Sequence, residues 1–575
     1  MSQSDFLMEQ AVWDYVIVGG GSAGCVLASR LSEKKSLKVL LIEAGRDLPP
    51  GQEGRAIRDT YSGRAAFDPD NLWAGLKVTT RPFQDNKREG SQRFYEQAKL
   101  LGGGSSINGQ VANRGTPDDY NEWESLGAAG WNWEAVLPYF VKLESDLDYS
   151  GPLHGGSGPV PIHRIPYSKW PGLSKAAERA LTELGYEAIG DQNGIYTDGH
   201  FPITLSNNGS HRVSSSMAYL GEEVRRRPNL KIMADTQVLS LVFEGRRAKE
   251  LKVLVNGVTR PIAAENIVIS AGAIHSPALL MRSGVGPVAT LARAGIDCLH
   301  DLPGVGENLQ EHPSISLSAF IKPSMRLGKS TRRHIHLGMR YSSGHATAGM
   351  PSDMFMMFAS KSSWHPVGRQ IATMLSWVNK VYSRGRIELT DPDPRAEPTA
   401  SFNFMEDRRD LERLADSVHR MAGIFASQAL RDATGHVGVS SYSGAAKALG
   451  RHSAVNYLLT APTAAILDIL PPLRSVFFKT MVSGGHSLAD LLVDREALET
   501  YVRDHAFPQW HPCGTCRMGA ITDRMAVVDP HTARVYGLEN LFVADASIMP
   551  TAPRANLNIP VIMIAERVSD LLLKQ

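Results

Sequence analysis

The hydrophobic pattern of this chain changes character along its length. Short, unbroken apolar runs occur at Tyr15-Val16-Ile17-Val18, Val39-Leu40-Leu41-Ile42, Ile267-Val268-Ile269 and Leu541-Phe542-Val543. Runs this short, rich in β-branched residues, predict strands buried on both faces, as in a parallel sheet. The first breaks into glycines and then into a helical period from Ser22 to Leu31, so the opening segment reads as a βαβ unit. Because the matching strands lie near residues 15, 40, 267 and 542, one doubly wound sheet built from them is assembled discontinuously. The segments 155–225 and 315–500 differ. Ser314-Ile315-Ser316-Leu317-Ser318-Ala319-Phe320-Ile321 and Arg386-Ile387-Glu388-Leu389-Thr390 alternate, which predicts an antiparallel sheet with one solvated or cavity-facing side. Near the C-terminus Pro560 opens an apolar helix, with Asn558 as its predicted cap.

Composition narrows the class. A chain of 575 residues exceeds one minimal core and implies two domains, interwoven here. Apolar residues at 43% and charged residues at 21% describe an ordinary globular protein. A net charge of +2, with no basic run, gives no reason to expect nucleic acid as a partner. Cys25, Cys298, Cys513 and Cys516 are too scattered for a disulfide framework and suit a reducing compartment. Met1–Gln10 lacks the apolar centre of a secretory leader, so a cytoplasmic location is expected. The apolar stretch from Ala454 to Val482 is interrupted by Pro462, Asp468, Pro471, Pro472, Arg474 and Lys479. It falls short of the roughly 20 unbroken apolar residues of a membrane span, and membrane contact is not expected.

Two groups of residues carry candidate chemistry. Gly19, Gly21 and Gly24 form G-x-G-x-x-G between a strand and a helix. The first glycine permits the turn, the second admits a pyrophosphate, and the third lets helix and strand pack. The helix N-terminus favours phosphate. Glu43 ends the next strand, where a carboxylate can accept from ribose hydroxyls. The fingerprint serves both FAD and NAD; the Glu43-Ala44-Gly45 ending is more typical of flavoproteins. At the other end stand Trp510-His511 and Asn556. A neutral imidazole can accept a proton near neutral pH, so the two ends suggest one redox site. Cys513-Gly514-Thr515-Cys516 offers two of the four ligands zinc wants, so it is read as packing and no metal is predicted.

Five blocks together resemble the glucose–methanol–choline (GMC) oxidoreductases. They are the fingerprint with Glu43, Gly102-Gly103-Gly104-Ser105-Ser106-Ile107-Asn108, the run from Gly272 to Gly286, the run from Leu302 to His312, and the C-terminal His/Asn block. Within the family the likeness is to members acting on furanyl and aryl carbinols. The resemblance implies an α/β fold, α+β overall. A discontinuous Rossmann-like FAD-binding domain (10–155, 226–314 and 505–575) would be joined to a substrate domain (156–225 and 315–504) with a mostly antiparallel sheet. It assigns His511 and Asn556 as the catalytic pair. The residues expected around FAD are Gly19, Gly21, Ser22, Ala23, Glu43, Ala44, Gly102, Gly104, Ser105, Asn108, Gly109, Val111, Val238, Ala271, Asp545, Ala546, Asn558 and Pro560. Trp377, Val378 and Trp510 would form the substrate pocket, whereas His275 and His312 are read as hydrogen-bonded core histidines. Some relatives attach FAD through a histidine in the glycine-rich loop; Ile107 stands there, so non-covalent FAD is expected.

The implied activity is oxidation of primary aryl or furanyl alcohols to aldehydes, and through aldehyde hydrates on to acids, with O2 reduced to H2O2. Alternatives are a dehydrogenase using a quinone or another acceptor, and a non-oxidative lyase or photodecarboxylase. The oligomeric state is not legible.

Overall fold

The computed structural model describes residues 12–83, 92–328, 332–347, 350–442 and 444–575. The reading of Met1–Gln10 falls outside them.

The discontinuous strands do meet. Trp13–Val18 pairs in parallel with Val39–Ile42 on one side and with the second half of Val258–Ile269 on the other, setting Val16 opposite both Leu40 and Ile267. Leu541–Val543 extends the sheet beyond Ile267–Ile269. Leu230–Met233 adds a parallel edge beside Val39–Ile42, a strand the hydrophobic pattern did not single out. Val16, Ile17, Leu40, Leu41, Val268 and Val543 are wholly buried, as expected where helices cover both faces. The first half of Val258–Ile269 instead turns back into an antiparallel meander with Arg247–Val255 and Thr236–Glu244.

The strands Trp13–Val18, Val39–Ile42, Val258–Ile269 and Leu541–Val543 end on the same edge, and Gly19, Glu43, Ser270 and Ala544 follow them. Ligands of open α/β sheets bind at this edge. The helix Ser22–Leu31 leaves from it and packs on the C-terminal helix Asn558–Leu573. Arg30 Nε donates to both oxygens of the buried Glu566, at 3.1 and 2.9 Å. Tyr219 Oη donates to the same carboxylate at 2.8 Å. The two ends of the chain are thereby locked together.

That C-terminal helix begins earlier than the sequence suggested. Leu557 occupies the cap position with helical backbone and no side-chain cap, and Asn558 already lies in the first turn. Its Oδ1 accepts from Ser22 Oγ at 2.8 Å, so Asn558 bridges two helices rather than capping one. Pro560 falls in the same turn, where its missing N–H loses no helical hydrogen bond.

The second large sheet is antiparallel, in the order Thr434–Val439, Pro313–Ile321, Ile371–Val378, Met354–Ala359, Ile335–Tyr341 and Gly199–Pro202. The alternation in Pro313–Ile321 predicted an open face, yet the strand is buried at every position. The amphipathic helix Arg408–Phe425 packs against it, and Ser314 Oγ donates to Phe507 O at 2.7 Å. Ser318 Oγ lies 2.7 Å from Ser440 Oγ and 3.1 Å from Tyr442 Oη. Burial of these two hydroxyls is tolerated because both are hydrogen-bonded. Arg386–Glu388 belongs to a separate small sheet with Thr399–Ser401.

Candidate active site

A cavity of about 480 Å³ runs from the C-terminal edge of the parallel sheet to the antiparallel sheet, whose wall residues are Ile335, Met357 and Leu375. Its first part is a cradle built by absence of side chains. A Cβ on Gly24 would stand 1.9 Å from the carbonyl oxygen of Gly19, so only glycine lets helix and strand approach. A Cβ on Gly104 or Gly109 would meet nothing within 4 Å, because both face open space. Gly102, at φ +88°, turns the loop, and its N–H donates to the Gly20 carbonyl at 2.7 Å.

Glu43 is buried at the strand end and faces the cavity. Its two oxygens accept the N–H groups of Gly20 and Gly45 at 2.8 and 2.7 Å, which leaves lone pairs directed outward. Burial raises its pKa, and the two backbone donors oppose that rise. Asp545 is engaged within the protein. It accepts from Gly272 N at 2.8 Å and Ser547 N at 2.7 Å, tying its strand to the helix Gly272–Arg282. Arg212, not anticipated from the sequence, holds the glycine-rich loop from behind through Ser105 O at 3.0 Å and Asn108 Oδ1 at 2.9 Å.

At the far end stand His511 and Asn556, with Asn556 Nδ2 3.0 Å from His511 Nε2. Local backbone places them. Residues 509–513 run against 310–312, with Gln509 N donating to His312 O at 3.2 Å and Gln310 and Cys513 exchanging both hydrogen bonds. Trp510 takes a left-handed backbone, φ +60°. Such a conformation costs a bulky residue about 1–3 kcal/mol. Here the His511 N–H donates to both oxygens of Glu311, at 2.9 and 2.7 Å. The indole of Trp510 turns to the cavity and donates to Glu96 Oε2 at 2.9 Å.

Glu311 is the hub. It also accepts from the backbone of His312 at 2.8 Å and Gln509 at 3.2 Å, and from Tyr95 Oη at 2.8 Å. Burial pushes its carboxyl up to about 8, against donors that all favour the ionised form.

His511 Nδ1 lies 3.0 Å from Nδ1 of His312. Burial, reinforced by the neighbouring His312, holds the His511 pKa well below the usual 6.5. Burial, with a smaller contribution from Lys380, pushes His312 down to about 3. Both rings are therefore neutral at neutral pH. Asn556 Oδ1 is buried with no partner, and so is Nε2 of His312. An orphaned amide oxygen at a cavity wall is an acceptor awaiting a ligand.

Of the residues expected around FAD and substrate, all but four line this cavity. Gly102 acts through the turn behind the wall, and Pro560 lies one turn into its helix. Trp377 and Val378 are wholly buried away from the cavity. Trp377 shares its strand face with Leu375 but is stacked under Phe355, with centroids 4.5 Å apart. His275, read as a core residue, lines the wall, stacked on Trp73 at 4.5 Å and bonded to Glu397 at 3.0 Å. Cys513 and Cys516 are buried free thiols, whose pKa values burial raises.

A phosphate-binding edge joined to a buried imidazole–amide pair defines a redox enzyme built on a dinucleotide cofactor. Residues 13–314 and 381–565 match the two parts of the GMC oxidoreductase family, and the chain belongs to that family. It is 41% identical over 99% of its length to the whole of a 5-(hydroxymethyl)furfural oxidase from Methylovorus sp. (strain MP688). It is 31% identical over 98% of its length to an oxygen-dependent choline dehydrogenase from Vibrio vulnificus (strain YJ016), covering 95% of that protein. Among solved structures, pyridoxine 4-oxidase from Mesorbium loti superposes with a TM-score of 0.79 at 28% identity, over 98% of this chain and 99% of that one. The protein is an FAD-dependent oxidoreductase. The cradle fits that cofactor: a glycine-lined channel wide enough for a pyrophosphate, a buried carboxylate for ribose, and a helix N-terminus.

Proposed function

We propose that the protein oxidises primary aryl or furanyl alcohols to aldehydes, with His511 as the base, and passes the electrons to O2 as H2O2. The observation that carries this reading is the juxtaposition of His511 Nε2 with the Asn556 amide at the cavity wall. An alcohol oxygen seated against both meets an unprotonated nitrogen and an amide that fixes its direction. FAD, when bound, supplies the acceptor for the hydride from the carbinol carbon. Asn556 orients the substrate so that its C–H faces that acceptor, and such positioning is a large part of barrier lowering. The likeness to a 5-(hydroxymethyl)furfural oxidase supports the substrate class, as do the apolar wall of Ile335, Met357 and Leu375 and the aromatic Trp510.

The tautomer matters. For Nε2 to accept a proton, the neutral ring must carry its own on Nδ1, and His312 Nδ1 is placed to receive that N–H. His312 Nδ1 accepts when its own proton sits on Nε2, the atom that has no partner in the fold. Once Nε2 is protonated, the imidazolium keeps that contact. Ile107, whose alkyl side chain cannot bond to a flavin, faces the cavity in the glycine-rich loop, and this supports non-covalent FAD. Hydrated aldehydes present the same hydroxyl and would be oxidised to acids.

The test is anaerobic mixing of the holoenzyme with furanyl and aryl carbinols, then admission of air. Bleaching of the visible flavin band, with rapid recovery and stoichiometric peroxide, is expected. Bleaching with sluggish recovery would assign a different electron acceptor. Failure of every alcohol to bleach would remove alcohol oxidation.

A further inference from the structure

Residues 454–482 do not enter the active-site cavity. They fold as the helix Ala454–Ile469, the helix Pro472–Phe477 and a π-turn at Phe478–Val482. The inner side is anchored: Ala464, Leu467 and Phe478 pack with Phe320, Val367 and Ile371. The outer side is apolar and uncovered. Leu458, Leu459, Ile466, Ile469, Leu473 and Val476 are each more than two-fifths exposed, with Leu458 at 70% and Ile469 at 75%. Leu458, Leu459, Ile466 and Ile469 share one stripe along a helix of 16 residues, about 24 Å long, and Leu473 and Val476 lie on the helix that follows. Scattered exposed leucines are ordinary, but a contiguous stripe marks an interaction surface.

Charge selects the occupant. Lys447, Arg451 and Lys479 flank the stripe and are exposed, and the helix bearing Lys447, Gly444–Gly450, packs on both Ala454–Ile469 and Phe478–Val482. Asp468 is the one carboxylate between residues 454 and 482. Its oxygens are taken by Arg326, at 2.7 and 2.6 Å, and by Gln370 at 3.0 Å. An apolar stripe rimmed by free cations, with its acid neutralised from behind, has the pattern of a helix lying in the headgroup region of an anionic bilayer. No helix among the described residues is long and apolar enough to cross a membrane, and Pro471 and Pro472 end the first helix and open the second.

We propose that this face docks the enzyme on the surface of an anionic phospholipid bilayer. The contact would lie toward the cavity wall at Ser62 and Gly63. Trp364 Nε1 donates to Gly450 O at 2.8 Å, and its ring sits 4.3 Å from that of His452. Three residues earlier, Lys361 lies over Tyr61, which adjoins the wall residues Ser62 and Gly63. Docking there brings that side of the cavity close to alcohols partitioned into the lipid. The proposal is independent of which alcohol is oxidised.

The experiment is co-sedimentation of the FAD-loaded enzyme with vesicles of phosphatidylglycerol and phosphatidylcholine, and with vesicles of phosphatidylcholine alone. The enzyme should pellet with the anionic vesicles, less with the neutral ones, and less in high salt. Each basic residue removed should weaken binding by about five-fold. The double variant Leu458→Glu, Ile469→Glu should lose at least a hundredfold (on the order of two buried leucines' worth) while keeping its flavin spectrum and turnover. Absence of wild-type pelleting, or undiminished pelleting of the double variant, would overturn the proposal. So would a concentration-dependent dimer that the double variant dissolves, because the occupant would then be a second copy of the chain.

Discussion

Replacing His312 tests the tautomer argument without touching the base. His312→Leu removes the acceptor of the His511 Nδ1–H at a site where both rings are buried. Once His511 takes a proton, that contact is a hydrogen bond from a cation, and such bonds are worth about 1.5–3 kcal/mol. At 1.36 kcal/mol per factor of ten, anaerobic flavin reduction should slow by about ten- to 150-fold. Leucine also eliminates an N–H that has no partner in the fold, so FAD content and melting temperature should change little. His312→Asn, whose Oδ1 can accept, should recover much of the rate, and neither variant should greatly shift the concentration of alcohol at half-saturation. Stopped-flow reduction of the three proteins reads this directly. If His312→Leu reduces at the wild-type rate, or if Asn and Leu behave alike, His312 does not hold the tautomer.

Further outcomes follow from burial. The depressed pKa of His511 keeps the base unprotonated in acid, so the reduction rate should stay level as pH falls through 6.5; an inflection at or above that value would contradict the buried neutral base. Folding stability behaves differently. The fold favours neutral His312, moving it from 6.5 to about 3, so its contribution is complete above 6.5 and is lost as pH drops, about 2 kcal/mol by pH 5. Urea melts at pH 7 and pH 5 would show this, and His312→Leu should narrow the difference. Two glycines should separate folding from cofactor binding. Gly24→Ala drives a Cβ onto a backbone oxygen and should destabilise the apoprotein by about 1–3 kcal/mol, whereas Gly104→Ala should leave apoprotein melting unchanged and weaken FAD retention.

The parallel sheet was legible because its strands are buried on both faces and write continuous apolar runs. Leu230–Met233 escaped because it is an edge strand, with Lys231 exposed and only Leu230 buried. The serines of Pro313–Ile321 misled because alternation reports polarity, not exposure, and paired hydroxyls can be buried. In the site, the cradle glycines were readable since their spacing is local. The hub of Tyr95, Glu311 and the backbone of residues 509–512 joins distant parts of the chain, and no spacing announces it. His312 looked like a core histidine, and it is one; what the sequence could not show is that the ring packed against it is His511. Likewise the apolar run at 454–482 was visible, but which side of its helices faced outward was set only by packing on Phe320 and Ile371.

The central claim is that His511 takes the alcohol proton. The direct measurement is anaerobic reduction of His511→Ala, with FAD bound, by a furanyl carbinol across a range of pH. A lost general base predicts a rate lower by about 10²–10⁴, with the flavin spectrum intact and partial recovery at high pH, where the alcohol ionises unaided. Reduction within about tenfold of wild type, a loss too small for a general base, would contradict it and move the base elsewhere in the cavity.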